Sequence, residues 1–330
     1  MAEKDKSFIA KICRKLNIDN VSLHNKKLEK LGGKYEIASI PFSSYHLENH
    51  PKIKEADIIH LHWVTDNFLN YPTFFRNVKQ PIVWTLHDIN PFRGIFHFDG
   101  DKIKNPNLSK LDKQILQIKI NSIHKKDNIN IVCLSEWMQH KSTQSTAFSR
   151  YPHSLIPNGL DFTKYPILDR EDAKIKTKVN NGLKTILVVG ASLESEQKGF
   201  YLLFDTINKL KLTNFNFITI GYSSELKHIN KNINHIHIDK ITDTSMLNYY
   251  YSAADITIIP SKEDNLPNVM LESFANGTPI ISFNNGGMAE HIKNGENGIL
   301  ISEISLDALV IGINDFLDDK YHFDNDNIRK

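Results

Sequence analysis

The sequence has few cysteines and no block of charge of a single sign. Two cysteines occur in 330 residues, Cys13 and Cys133, far apart and without a Cys-x-x-Cys pair. This usage fits a reducing compartment and argues against a disulfide framework and a structural zinc site. The 40 basic and 38 acidic residues are mixed along the chain. Neither nucleic acid nor anionic lipid is therefore expected as the main partner.

Long apolar runs are also missing. No stretch has the apolar length that a membrane span needs, and residues 1–14 lack the apolar core of a signal peptide. No repeat of solenoid length occurs. We therefore expect a cytoplasmic globular protein, whose 330 residues are enough for two domains of ordinary size.

Short apolar segments rich in β-branched residues alternate with helical patterns. The segments that predict buried strands are residues 56–63, 81–87, 130–135, 185–190, 216–221, 255–260 and 279–283. Residues 200–210, 247–254 and 268–275 place apolar side chains on one helical face. This alternation predicts an α/β fold with parallel sheets and right-handed crossovers. Strand signals stop at residues 161–183, so we place a domain boundary near Ile167, between residues 1–166 and 167–330.

The strongest chemical pattern is an acidic loop between a buried strand and a helix, at residues 260–279. Pro267 stands where a first helical position is expected, and Gly277 where the helix should end. Ligands of open α/β sheets bind beyond the carboxyl ends of the strands, and free N–H groups at a helix start can receive phosphate. Asp264 and Glu272, one in the loop and one inside the helix, could accept hydrogen bonds from a hydroxyl-rich ligand.

These residues resemble the Glu-x7-Glu region of family 4 retaining glycosyltransferases, particularly members that build bacterial surface polysaccharides. The resemblance implies a GT-B-like fold of two facing Rossmann-like domains with parallel sheets. It implies that Asp264, an aspartate where glutamate is usual, contacts the donor sugar and that Glu272 binds the ribose hydroxyls. The backbone N–H groups of Asn265, Leu266 and Pro267 would then face the sugar and diphosphate. An ordinary surface loop before a helix is the plainer interpretation of this segment.

A second element is the loop that follows the strand at residues 185–190. Gly190 ends this strand, and a Lys-Gly pair, Lys198 and Gly199, opens the next helix. The family uses such a pair at the donor diphosphate, which assigns Lys198 to that role and Gly190 to the donor site. Ala191 stands where the family often has an arginine. A solvated helix end is the plainer interpretation of a Lys-Gly pair.

Two histidines end predicted strands in the first half, His62 and His87. By the same resemblance they are candidates for a contact at the reactive centre, with His62 preferred. A structural role is the commoner one for a histidine in a strand. The residues after Pro91 and Phe92 lack the cysteines of that family branch, so we expect no metal. The turn at residues 156–161 is assigned a structural role, and the glycine turn at 285–290 resembles one near the donor cleft.

The resemblance predicts transfer of a sugar from a nucleotide-diphosphate donor to a hydroxyl-bearing glycan or lipid-linked acceptor, with retention of configuration. We expect no tightly bound metal or cofactor, no nucleic acid, and possible peripheral contact with a membrane. We expect the first domain to lack the leading strand and glycine-rich loop of the family. Two alternatives therefore stay open: a non-catalytic nucleotide-sugar-binding protein or partner subunit, and an unrelated α/β domain.

Overall fold

A computed structural model describes residues 11, 15, 19–224 and 229–329 of the chain. Cys13 and most of the charged N-terminal stretch lie outside the described residues. Two compact units divide the chain, residues 1–157 and 158–330. Each unit is built around its own parallel sheet and its own hydrophobic core.

The strands of the first unit lie in the order β1-β2-β3-β4, and all neighbours run parallel. Their bounds are Ile59–Leu61 (β1), Ile82–Leu86 (β2), Ile129–Cys133 (β3) and His153–Leu155 (β4). The helices are Asn20–Leu31 (α1), Pro51–Glu55 (α2), Tyr71–Asn77 (α3), Asp99–Lys104 (α4), Ser109–Ile123 (α5) and Glu136–Thr143 (α6). Trp84 of β2 is fully buried among aromatic side chains of α3 and the segment after α6.

The second unit has a six-stranded parallel sheet in the order β10-β9-β8-β5-β6-β7. Its strands are Thr185–Ser192 (β5), Asn216–Tyr222 (β6), Asn234–Ile238 (β7), Ile256–Ile259 (β8), Ile280–Phe283 (β9) and Gly298–Ile301 (β10). Its helices are Arg170–Lys176 (α7), Phe200–Lys209 (α8), Thr244–Ala253 (α9), Asn268–Ala275 (α10), Leu306–Leu317 (α11) and Asn325–Ile328 (α12). The helices α8 and α11 cover one face of this sheet, and α9 packs on the other.

The predicted α/β architecture with two parallel sheets is confirmed, and each predicted strand overlaps an observed one. The prediction omitted β4, β7 and β10. β7 alternates polar and apolar residues, because it lies at the edge of the sheet and does not need the continuous apolar run of a central strand. The predicted strand at residues 56–63 shortens to β1, because Ala56 instead caps helix α2.

The division between the units lies within the turn at residues 156–161, before the predicted boundary near Ile167. The segment between the two positions packs on the second unit. Asn248 of α9 donates a hydrogen bond from Nδ2 to the carbonyl of Lys164, at 2.6 Å. Residues 158–166 contain no strand. Strand signals alone therefore could not show that these residues belong to the second unit, and the predicted boundary lies too late in the chain.

Candidate functional site

The strand order of the second unit has a switch point between β5 and β8. The chain runs outward from β5 through β6 to β7, then returns to β8 and runs outward the other way through β9 to β10. The loops after β5 and β8 therefore diverge to opposite sides of the sheet, and such a switch point is where open α/β sheets bind ligands. The Lys198 loop follows β5, and the acidic loop follows β8.

A close ion pair joins these two loops. Lys198 Nζ lies 2.5 Å from Asp264 Oδ2. The same oxygen accepts a hydrogen bond from Ser261 Oγ at 3.3 Å, and Oδ1 accepts one from the N–H of Asn265 at 3.0 Å. The Lys198 side chain is just over one-third exposed, so its ammonium remains open to an anionic ligand. The predicted sugar and diphosphate residues thus lie together, although 66 positions separate them in the chain.

The glycine turn at residues 285–290 packs against the backbone of the acidic loop. Gly286 has a φ of +69°, and a Cβ added to it would lie 2.1 Å from the carbonyl oxygen of Asp264. The N–H of Gly287 donates to that same oxygen at 3.0 Å, and Asn285 donates from Nδ2 to the carbonyl of Lys262. Only glycine fits this close approach of two backbones, which explains Gly286 within the turn at residues 285–290.

The acidic loop leads directly into α10, with one correction to the prediction. Pro267 is the N-cap residue, with an extended ψ of 136°, and the helix begins at Asn268. Pro267 has no backbone N–H to offer, and that of Asn265 is already bonded to Asp264. Of the two N–H groups that these three residues have, that of Leu266 has no partner in the described part of the chain.

The end of α10 is as predicted. Gly277 has a φ of +73°, and its N–H donates to the carbonyl of Phe274. The N–H of Thr278 reaches back to the carbonyl of Ser273 at 2.9 Å. This pair of bonds is the Schellman arrangement, in which a left-handed glycine terminates the helix.

Glu272 projects from α10 against a buried tyrosine that the sequence analysis did not single out. The hydroxyl of Tyr251, a fully buried side chain of α9, donates to Glu272 Oε2 at 2.9 Å. Burial raises the pKa of Glu272, and the Tyr251 hydrogen bond opposes that rise. Tyr165 is the other titratable group close to this carboxylate. No local pattern marks Tyr251 as functional, because its bond to Glu272 exists only when α9 and α10 pack together.

A cleft of about 540 Å³ opens at the carboxyl ends of β5 and β6. Its walls are mainly apolar, and they include Gly190, Ala191, Ile220, Gly221, Tyr222 and Leu247. A Cβ on Gly190 would lie 2.8 Å from the ring of Phe200, so this glycine permits the close packing of strand and helix. Leu247 lies one helical turn before Tyr251, which places the cleft next to the side chain that holds Glu272.

In the first unit, polar side chains pair across the ends of β1 and β2. His60 Nε2 lies 2.8 Å from Thr85 Oγ1, and His62 Nδ1 lies 3.0 Å from His87 Nε2. Burial, followed by the neighbouring His62, lowers the pKa of His87, although Asp88 opposes this. The imidazole of His87 is therefore neutral near pH 7 and able to exchange a proton or a hydrogen bond. The two predicted histidines do meet.

The loop after His87 is held by hydrogen bonds to buried polar side chains. Asp88 Oδ2 lies 2.7 Å from Nδ1 of the buried His97, whose Nε2 lies 2.8 Å from Ser39 Oγ. Lys119, 1% exposed, donates to two backbone carbonyls, those of Asn90 and Gly94, both at 2.7 Å. These contacts tie residues 88–97 to helix α5 and to Ser39, in addition to an antiparallel bridge between Phe96 and Ala38.

Two features that other site classes need are missing from the described residues. Within residues 19–224 and 229–329, no group of three or more His, Cys, Asp and Glu side chains is placed to hold a metal ion. In the same ranges, no helix combines the length and the apolar character of a membrane span. Cys133 is a buried free thiol.

Comparison with known proteins assigns a family to the second unit. Residues 183–319 match the family of glycosyl transferases group 1. An uncharacterized glycosyltransferase of Haemophilus influenzae is 30% identical over 195 residues, which are 56% of this chain and 50% of that protein. The capsular polysaccharide biosynthesis glycosyltransferase CapM of Staphylococcus aureus is 21% identical over 206 residues, covering 58% of this chain and 53% of that protein. The chain thus spans about half the length of these relatives.

Solved structures show the fold. Sucrose-phosphate synthase of Thermosynechococcus elongatus matches with a TM-score of 0.63 at 17% identity, covering 83% of this chain and 66% of that protein. HepE of Anabaena, solved in complex with UDP, matches with a TM-score of 0.59 at 18% identity, covering 81% and 70%. The loops that carry Lys198, Asp264 and Glu272 all lie within residues 183–319. The chain is therefore a homologue of glycosyltransferases with their GT-B α/β architecture, and its second unit carries a glycosyl transferases group 1 domain.

Proposed function

We propose that this protein transfers a sugar from a nucleotide-diphosphate donor to a hydroxyl acceptor, with retention of configuration as in family 4. The observation that carries the proposal is the ion pair of Lys198 with Asp264 at the switch point of the second sheet, with Glu272 on the helix that the acidic loop enters. The cation suits the diphosphate of such a donor, and the carboxylate beside it suits the sugar. The second carboxylate, near an apolar cleft, suits the ribose of the nucleoside. The UDP bound by the structural neighbour HepE supports a nucleotide ligand.

The donor would bind along the edge of this sheet. The cleft lined by Gly190, Ile220 and Leu247 suits the flat, largely apolar base. Glu272, held by Tyr251 next to that cleft, would accept hydrogen bonds from the ribose hydroxyls. Lys198 would then meet the diphosphate, and Asp264 would accept a hydrogen bond from the sugar.

Transfer would proceed by stabilising the departing diphosphate. Negative charge grows on the diphosphate as the bond to the sugar breaks, and a fixed cation beside it lowers the barrier. Lys198 can supply that charge, together with the N–H of Leu266 and the start of α10. Ala191 leaves the position after Gly190 uncharged, and Lys240 on the wall of the same cleft offers a compensating cation. We propose no tightly bound metal and no protein nucleophile.

His62 and His87 are proposed as the reactive-centre residues of the first unit. A neutral imidazole can accept the proton of an attacking hydroxyl or donate a hydrogen bond to it. A polysaccharide or glycoconjugate acceptor is supported by the relative CapM. The cytoplasmic location, the membrane contact and the choice between a glycan and a lipid-linked acceptor stay predictions from the sequence.

The test is calorimetric titration with UDP-, GDP- and dTDP-sugars, on the native chain and on Glu272→Gln. We expect one nucleotide to bind and the variant to bind it at least tenfold more weakly, because ribose hydrogen bonds to a charged group contribute about 1.5–3 kcal/mol. Glu303→Gln, an exposed carboxylate of the same unit, is the matched control. Binding without sugar release would favour the non-catalytic alternative, and no binding to any nucleotide would refute the proposal.

A further inference from the structure

Trp63 is an exposed tryptophan whose orientation is fixed. Its relative exposure is 49%, whereas Trp84 in the neighbouring strand is fully buried. Its indole N–H donates to Asp88 Oδ2 at 2.9 Å. An exposed aromatic side chain normally keeps rotamer freedom, and fixing it costs conformational entropy. Here the fold holds a flat apolar surface in one position on the outside of the first unit.

The partner of Trp63 is itself held in place. Burial alone would raise the pKa of Asp88, but hydrogen bonds from His97, the N–H of Asn90 and Trp63 outweigh it and lower that pKa. The N–H of Asn90 donates to Asp88 Oδ1 at 2.9 Å, and His97 is bonded on its other side to Ser39. Asp88 is therefore a charged acceptor near neutral pH, and a charge-assisted bond to a fixed acceptor orients the indole firmly.

This aromatic surface follows the histidine pair along the segments after β1 and β2. The contacts between His62 and His87 and between Trp63 and Asp88 are consecutive across the ends of β1 and β2. The indole therefore lies one position beyond the pair that we propose to be reactive. The carboxylate of Asp88 and the ring of His97, whose centroid lies 6.1 Å from that of the indole, give this surface a polar edge.

We propose that Trp63 is a stacking surface for a pyranose ring of the acceptor, which makes the acceptor a carbohydrate. A pyranose has a face of C–H groups that suits a flat indole, and hydroxyl groups at its edge that suit the imidazoles. A fatty-acyl chain would need a continuous apolar groove, but the side chains that contact this indole, Asp88 and His97, are polar. The inference rests on the proposed function, since it names the class of acceptor.

The experiment uses the full chain and methyl pyranosides of glucose, galactose, mannose and N-acetylglucosamine. Saturation transfer to the sugar C–H protons measures binding. The indole N–H signals of the three tryptophans locate it, with that of Trp63 identified by its absence in Trp63→Phe. We expect at least one pyranoside to shift the Trp63 signal. Trp63→Ala should weaken that binding about tenfold, and Trp63→Phe, which keeps a flat ring but loses the bond to Asp88, by less.

Two controls separate the possible failures. Phe68→Ala removes another exposed aromatic ring of the same unit, 52% exposed, and should leave pyranoside binding unchanged. UDP affinity, measured on every variant, should not change. If no pyranoside binds, if Trp63→Ala binds it as well as the native chain, or if cyclohexanol shifts the Trp63 signal equally, the inference is overturned while UDP binding leaves the proposed function standing. Absence of UDP binding overturns the proposed function itself.

Discussion

A half-buried carboxylate keeps its charge only when neighbouring groups donate to it. For Glu272, the donor is the hydroxyl of Tyr251, at 2.9 Å. The tyrosine is itself positioned, since its ring is fully buried and its carbonyl accepts a hydrogen bond from Thr278 Oγ1 at 2.7 Å. Tyr251 thus orients Glu272 without touching the ligand proposed for it.

Tyr251→Phe should make UDP binding sensitive to acid. Burial raises the pKa of Glu272 and the tyrosine hydroxyl opposes this, so removing the hydroxyl raises that pKa further. If the ribose needs the ionised carboxylate, affinity is constant above this pKa and falls as pH decreases through it. The fall should therefore begin at a higher pH in the variant. Calorimetric titration of UDP between about pH 5 and pH 8 measures the shift.

The control for this change lies one residue earlier on the same helix. Tyr250 is partly buried in the apolar core of that face, and Tyr250→Phe removes a hydroxyl that no contact joins to Glu272. It should reproduce the native pH profile. A Tyr251→Phe profile that matched the native one at every pH would show that the hydroxyl does not support the charge of Glu272.

Asp264→Asn should separate nucleotide binding from transfer. The carboxylate of Asp264 forms an ion pair with the ammonium of Lys198. A neutral asparagine at position 264 would leave that ammonium free for the diphosphate. Because half-exposed ion pairs contribute about 0.2–1 kcal/mol, UDP should bind up to about fivefold more tightly. Sugar transfer should nevertheless fall, since the proposed sugar contact is weakened. Asp307→Asn, at an exposed carboxylate of α11, is the control, and UDP affinity that dropped with transfer would contradict the prediction.

Among the structural elements, the glycine turn behind the acidic loop makes a sharp demand on sequence. Gly286→Ala adds a methyl group 2.1 Å from the Asp264 carbonyl oxygen, so one of the two segments must move. Gly295 has a similar φ of +82° but open space around it. Both substitutions should cost about 1 kcal/mol for the left-handed conformation, and only Gly286→Ala should also displace the acidic loop.

Two measurements distinguish these effects. Urea unfolding followed by circular dichroism gives the loss of stability in each variant, and calorimetry gives the UDP affinity. Gly295→Ala should lose stability alone, whereas Gly286→Ala should lose stability and UDP affinity together. Native UDP affinity in Gly286→Ala would show that the backbone contact does not position the donor loop.

For the whole molecule, the distribution of tryptophan offers a direct measurement. Trp63, Trp84 and Trp137 all lie in the first unit, so tryptophan fluorescence reports its unfolding, while circular dichroism reports both units. The proposed UDP site lies entirely in the second unit. UDP at about a hundred times its dissociation constant should stabilise that unit by about 2.7 kcal/mol. Thermal unfolding should then shift by circular dichroism and not by fluorescence. Equal shifts by both probes would mean that the units unfold together.

The sequence by itself determined the α/β class and the elements that carry the candidate chemistry. Continuous apolar runs marked most of the strands, and the Lys-Gly pair and the acidic loop stood at their carboxyl ends. Local patterns were sufficient because a central strand and a helix terminus each impose requirements on neighbouring residues. The assignments of Lys198, Asp264 and Glu272 to a donor site stay predictions, and all three residues lie in the second unit.

Only the tertiary structure decided which of these groups meet. Lys198 and Asp264 form a pair because β5 and β8, far apart in the chain, are neighbours in the sheet. The packing of α9 on α10 revealed the contact of Tyr251 with Glu272. The contacts of Asp88 with His97, and of His97 with Ser39, explained why the orientation of Trp63 is fixed. These contacts join residues that are far apart in the chain. A local sequence pattern constrains only neighbouring residues, so a single sequence does not show which distant side chains come into contact.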